Sequence, residues 1–242
     1  MLRHIGTKRT PRHNLKLAAL LGLTAGFVNA EGFLGFSVLT TNVTGHAALF
    51  AQSVEAQDWG SAEIIALWML LFLAGAFFSA ILLAVNGTDR RFPYAIPVLI
   101  EIAILLSTAF VGVPSKGSLV FKEIYSGVLL FAMGMQNALV TLVSGSVVRT
   151  THLTGTFTDL GIELAEFMKT PHPNRKALTG KIHLRLFLIF FFMTGAVGGA
   201  YLFKLIGFYA FIAPALILVF VLLYEIMRVK ALHYYQAIKS GN

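Results

Sequence analysis

The chain has 242 residues, of which 57% are hydrophobic and only 12% charged, where water-facing domains run at roughly 45–50% and about 25%. That composition cannot clothe an ordinary soluble surface, so the chain belongs in lipid. The formal charge of +8 does not point to nucleic acid, because the basic residues gather in short segments beside apolar runs and not along one folded face. With no cysteine, there is no disulfide framework, thiolate metal site or thiol nucleophile.

In chain order, residues 1–14 carry Arg3, Lys8, Arg9 and Arg12 ahead of an apolar stretch. That stretch lacks a small-residue cleavage site and contains Asn29 and Glu31, which predicts a retained first helix and not a signal peptide. Six segments are long and apolar enough to cross a hydrocarbon core of roughly 30 Å: about 15–36, 62–85, 94–113, 119–143, 184–206 and 208–227. Breaks between them fall at Asn86-Gly87, at Pro114 and Gly117, and at Thr170-Pro171-His172-Pro173-Asn174. Two more polar segments, 40–57 and 150–169, follow the first and fourth spans.

If neither polar segment crosses, four basic regions share one side: the N-terminal segment, Arg90-Arg91, the stretch from Arg149 to Lys181, and the tail with Arg228 and Lys230. Positive charge marks that side, and both termini, as cytoplasmic. Glu55, Asp58 and Glu63 then lie opposite. An eight-span alternative, in which both polar segments cross, moves Arg90-Arg91 outside and the acidic region inside. Six spans is the preferred reading.

The two halves match. Gly26-Phe27-Val28-Asn29-Ala30 aligns with Gly134-Met135-Gln136-Asn137-Ala138, and Thr40-Thr41-Asn42-Val43-Thr44-Gly45 with Thr150-Thr151-His152-Leu153-Thr154-Gly155. The offset is 134 − 26 = 108 at the first pair and 155 − 45 = 110 at the last, so one small insertion reconciles them. Gly75-Ala76 with Ala80 matches Gly195-Ala196 with Ala200, and Pro97 matches Pro214. The expected fold is all-α and integral to the membrane: one polytopic domain of six spans, with repeat 1 at about 15–113 and repeat 2 at about 119–230. Three spans per half make the repeats inverted, each with a broken or re-entrant polar helix; eight helices would make them parallel.

On the Gly26–Asn29 region, the Asn42-Val43-Thr44-Gly45 signature, the Gly134–Ala138 run and the Arg149–Thr156 signature, the chain resembles the YoaK-like family of bacterial membrane proteins, a domain of unknown function. The resemblance implies an inner-membrane, small-molecule transporter with no established substrate. Such proteins often carry aspartate at the Asn29 position and asparagine at the His46 position, and Glu31 is the candidate for the displaced acid.

A Thr-x-x-Thr-Gly element entering a helix supplies hydroxyls for capping, a glycine for close approach and N–H groups that attract anions, which is how broken helices build transporter sites. Thr41, Asn42, Thr44 and Gly45, with Thr151, Thr154 and Gly155, are therefore the expected substrate contacts; tight helix packing is the alternative for the threonines and glycines. His46 and His152 flank the signatures at different offsets and are counted among the substrate contacts; no spacing defines zinc, so neither metal nor cofactor is expected. Asn29, Gln136 and Asn137 are amides in apolar helices, either substrate contacts or structural hydrogen bonds.

Asp159, Glu163 and Glu166 share one helical face. Asp159 is the candidate for a cation, proton or amine contact, while the other two face water or lysine. Glu31 is read as a pathway acid or, preferably, an interfacial carboxylate at the outer mouth; Glu101, between Ile100 and Ile102, is the stronger intramembrane acid. Gly22/Gly26 and Gly195/Gly199 have small-xxx-small spacing, which joins the halves or forms a homodimer. The function expected is transport of an unidentified small solute across the bilayer, with a channel-like facilitator, an intramembrane enzyme or a scaffold as alternatives. No nucleophile, zinc or phosphate-loop motif supports an enzyme.

Overall fold

A computed structural model describes residues 11–86, 94–112, 118–169, 171 and 175–240. The basic segment 1–10, Gly87, Arg90-Arg91, Pro114, Gly117 and most of the 170–174 loop lie outside the described residues. The helices are α1 (Pro11–Phe36), α2 (Val43–Glu55), α3 (Trp59–Asn86), α4 (Ala95–Gly112), α5 (Leu119–Ser144), α6 (Leu153–Lys169), α7 (Arg175–Ile206) and α8 (Ile212–Ser240), with a 3-10 turn at Gly207–Phe211 before α8. Among the described residues there is no strand.

Among the described residues, five helical stretches are long and apolar enough to cross a membrane: Ala18–Phe36, Trp59–Val85, Ala95–Gly112, Leu119–Ser144 and Ala177–Met227. The chain is therefore a multi-pass, all-helical membrane protein. The last stretch has 51 residues, about 75 Å if straight, more than twice the hydrocarbon thickness. It folds back at Gly207, whose φ of 60° a side chain rarely adopts. Contacts at both ends of α1 fix the reversal: the Phe36 ring at its end packs at a tilt against Phe208 and Phe211, and Lys16 near its start donates to the Tyr224 hydroxyl at 2.7 Å.

α1 packs most extensively on α7, and α3 on α5. Each contact is made by backbones in close approach. A Cβ at Gly26 would overlap the Phe192 carbonyl oxygen, and one at Gly134 the Phe72 carbonyl oxygen; in return, Gly195 faces Leu23 O and Gly75 faces Phe131 O. Gly22 and Gly199 extend the α1/α7 seam against Leu188 and Phe27, so these small residues join the two halves of one chain. Residue numbers rise together along each seam, from Gly22 with Leu188 to Gly35 with Phe203, and from Trp68 with Gly127 to Gly75 with Met135. Both pairs are parallel.

α1 and α5 run the other way. Phe36 lies 5.5 Å from Phe121 by ring centroids, while Gln136 Nε2, two-thirds of the way along α5, donates to Leu21 O at 2.9 Å. α4 and α8 complete the bundle against α5 and α1, each with its proline as the third residue, Pro97 and Pro214, where an absent N–H costs no helical hydrogen bond. The outward face of α3 shows Leu67, Leu70, Leu73, Phe77 and Ile81 exposed, an apolar surface suited to lipid. α7 begins nine residues earlier than the apolar pattern predicts, because Arg175–His183 continue the helix beyond its apolar core.

α2 and α6 occupy the two polar segments. With 13 and 17 residues, they reach only about 20 and 26 Å. Residues in the left-handed region reverse the chain before each: Ser37 (φ 58°) after α1, and Gly145 and Ser146 (both φ 65°) after α5. The chain then doubles back along the helix it has just left. Thr40 Oγ1 donates to Val28 O at 3.3 Å, and Gln136 Nε2 donates to Thr150 Oγ1 at 3.3 Å. Since Val28 and Gln136 lie eight residues before the ends of their helices, each short helix starts about 12 Å inside those ends.

Candidate functional site

The starts of α2 and α6 border one cavity of about 1140 Å³. Its walls come from α1 through Asn29, from α3 through Phe72, Ala76 and Ala80, from α5 through Asn137, Ala138, Thr141 and Leu142, and from α7 through Phe192. The signatures supply the polar part: Thr41, Asn42, Thr44 and Gly45 from the first, Arg149, Thr151, His152 and Thr154 from the second. Phe72 and Phe192 are also the residues whose carbonyls meet Gly134 and Gly26, so the cavity sits beside the two glycine seams, and it opens outward, with Asn42, Thr44, Arg149, His152 and Thr154 exposed on its wall.

The local sequence explains the shape of each helix start. Asn42 caps α2, its Oδ1 accepting from Gly45 N at 3.0 Å. A Cβ at Gly45 would crowd Asn42 Nδ2 at 2.9 Å, and one at Gly155 would crowd His152 Nδ1 and Cε1 at 2.5 Å. Glycine at the third helical position lets the capping side chain fold over the first turn. His152 is thus the counterpart of Asn42, and the offset comparison of His46 with His152 pairs residues in different roles.

His46 lies one turn inside α2, 1% exposed, with Nε2 3.0 Å from Leu39 O and its ring 5.9 Å from Trp68. Burial pushes its pKa below the usual 6.5, the Leu39 contact opposing in part. It holds α2 against α3 and does not line the cavity. Asn29 Oδ1 accepts from Thr41 Oγ1 at 2.9 Å and from Thr41 N at 3.3 Å, which ties the returning chain to α1. Asn137 Oδ1, in the matching position, is buried with no hydrogen-bond partner.

Of the other expected site residues, Gln136 is 1% exposed and binds Leu21 O and Thr150, a structural amide. Gly155 lies against the His152 side chain. Asp159 is held by Arg185 of α7 at 3.1 Å, and Glu163 sits 3.6 Å from the same guanidinium. Glu163 is buried and so does not face water as expected; Arg185 Nη1 also donates to Val147 O at 3.2 Å. This fork fastens α6 and the turn before it to α7.

Glu31 and Glu101 stand apart from the cavity walls, 0% and 1% exposed. An interfacial carboxylate is therefore the wrong description of Glu31: α1 runs on to Phe36 and bundle residues cover it on all sides. Both Glu31 carboxyl oxygens lack a hydrogen-bond partner, and a buried charge without one is costly.

Sequence reasoning missed Arg149 as a cavity residue. It was visible as the cation directly before Thr150-Thr151, but positive charge at a helix end reads first as topology. The small residues Ala76, Ala80 and Ala138 were also missed as walls; they carry no chemical signal.

No protein of curated function and no solved structure matches the chain. Residues 17–224, covering both signatures and all the cavity walls, match the family described as protein of unknown function (DUF1275), and the chain belongs to that family.

Proposed function

We propose that this protein carries a small solute across a membrane, and that the cavity between the two signature helices is the solute site. The observation that carries the reading is the convergence of two sequence-related helix starts, one from each half, on a single cavity beside the close-packed seams. Transporters built from repeats place their sites where broken helices from both halves meet. The resemblance to YoaK-like proteins agrees with this.

Six crossings fit best, by α1, α3, α4, α5, α7 and α8. The antiparallel course of α1 and α5 supports inverted repeats, since an eight-span arrangement would run them in the same direction. Charge supports the orientation. The start of α1 and the start of α7 share one end with the end of α5, which brings Lys16, Arg149, Arg175, Lys181 and Arg185 together. Glu55, Asp58 and Glu63 fall at the other end. A cytoplasmic location for the basic end, in a bacterial inner membrane, follows from the positive-inside rule.

Movement would occur by rocking of one half against the other along the glycine seams, exposing the cavity to each side in turn. The test is a ligand-stabilisation screen on the purified chain, then flux of the stabilising compound in proteoliposomes. Thr44→Val and Thr154→Val should keep thermal stability within about 1 kcal/mol yet reduce uptake at least tenfold. Unchanged uptake in both variants overturns the site; currents of channel magnitude replace the carrier by a facilitator.

A further inference from the structure

The cavity's charge assigns a chemical class to its ligand, and resting on the transport reading above, we infer that the solute bears an oxyanion, a carboxylate or a phosphate, bound at Arg149. Among the described residues, the ionisable side chains on the cavity wall are Arg149 and His152, and no aspartate or glutamate lines it. Arg149, just before α6, and Arg185, packed against it, differ in one respect that decides the matter. Arg185 is neutralised by Asp159 and Glu163, whereas among the described residues no carboxylate pairs with Arg149. A guanidinium on a cavity wall, with the nearby acids already engaged elsewhere, is a bidentate receptor for planar oxygens.

The surrounding groups have the same polarity. Gly45 N is taken by the Asn42 cap, but the other first-turn N–H groups of α2 and α6 have no intrahelical acceptor, and both helices aim the positive ends of their dipoles at the cavity. Thr44 and Thr154 add hydroxyl donors. A cationic solute would find no counter-charge on the wall. One acceptor remains: Asn137 Oδ1, buried and without a partner although its counterpart in the first half takes two hydrogen bonds. It suits a hydroxyl or amino donor on the same solute.

The experiment uses the full chain in detergent with defined probes at matched ionic strength: sodium acetate, sodium lactate and sodium phosphate, against choline chloride and glycerol. Acetate, lactate or phosphate should raise the midpoint of thermal unfolding by several degrees relative to sodium chloride, and lactate should exceed acetate through its hydroxyl. Arg149→Gln should abolish the shift and Arg149→Lys retain part of it. Lys181→Gln, which removes an exposed cation at the same end, should leave the shift intact. Stabilisation by choline or glycerol alone, lost in Thr44→Val and Thr154→Val, overturns the oxyanion and keeps the solute site. An anion shift that survives Arg149→Gln, or that Lys181→Gln also removes, means diffuse surface binding and overturns the inference. No shift with any probe overturns the inference and counts against the site as well.

Discussion

In the first half, Asn29 holds the returning chain by accepting two hydrogen bonds from Thr41, and His46 seats α2 against Trp68 and the Leu39 carbonyl. In the second half, Asn137 Oδ1 has no partner, threonine replaces His46 at position 156, and α6 is held by Arg185 through two carboxylates. The scaffolds beneath are the same: four glycines make four equivalent backbone contacts across two parallel seams. The difference between the halves separates what geometry forces from what chemistry leaves free. Close backbone approach has a single solution, glycine, so it recurs in both halves; a short helix can be anchored in several ways, so its fittings diverge.

The largest effect should come from breaking the shared scaffold. Gly26→Val and Gly134→Val each drive a branched side chain into a carbonyl of the facing helix, and overpacking against backbone costs on the order of 3 kcal/mol. Because the contacts are equivalent, the two variants should lose folded, monodisperse protein to the same extent, read by size-exclusion recovery and thermal unfolding. Gly180→Ala, at a position where an added Cβ would meet nothing within 4 Å, should be neutral or slightly stabilising. Tolerance of valine at one seam and not the other would show that the halves carry unequal loads.

These glycines were legible in the sequence, as were the threonine signatures, because both leave periodic, repeated marks in a chain whose apolar background is otherwise uniform. The apolar, membrane-type helices followed from length and hydropathy, and the two short helices α2 and α6 fell in the polar segments. What could not be read were contacts between residues distant in sequence. Asp159 looked like a site acid until Arg185, 26 positions on, was brought beside it by the α6–α7 packing. Glu31 looked interfacial because hydropathy alone cannot tell a helix end that meets water from one covered by neighbouring helices. Arg149 was hidden by its own ambiguity, a topology signal and a cavity charge at once.

The second test removes the ionic anchor of α6. Arg185→Gln leaves Asp159 and the buried Glu163 without their cation. A fully buried pair broken from one side costs roughly 3–5 kcal/mol, but Asp159 is 49% exposed, so about 2 kcal/mol is expected. Hydrogen exchange should accelerate across α6 and stay unchanged across α2. Equal acceleration in both would mean that the short helices move as one unit and that their separate anchors are redundant.

Acid should do to the first half what Arg185→Gln does to the second. His46 offers Nε2–H to Leu39 O, and its Nδ1 is buried with no acceptor nearby, so a second proton has nowhere to be shared. Its pKa in the fold lies below 6.5, the unfolded chain therefore binds more protons over that interval, and stability present above pH 6.5 is lost as pH falls toward the folded value. Exchange in α2 should rise on acidification, and His46→Gln, neutral at every pH, should flatten that response. If α2 in the wild type is as protected at pH 5 as at pH 8, the histidine is not its anchor.

The smallest and most discriminating effect concerns the two asparagines. Asn29→Ala strips Thr41 of the acceptor for its hydroxyl and its amide, and should cost about 1 kcal/mol with loosening of the 37–42 turn. Asn137→Ala removes an acceptor that takes no hydrogen bond from the chain, so its cost in stability should be near zero. Its effect should appear in binding: the advantage of lactate over acetate should vanish while the response to acetate itself is kept, because the carboxylate is held by Arg149 and the helix starts. Should Asn137→Ala destabilise the protein as much as Asn29→Ala, the amide is structural in both halves, and the difference between the repeats lies only in how their short helices are tied down.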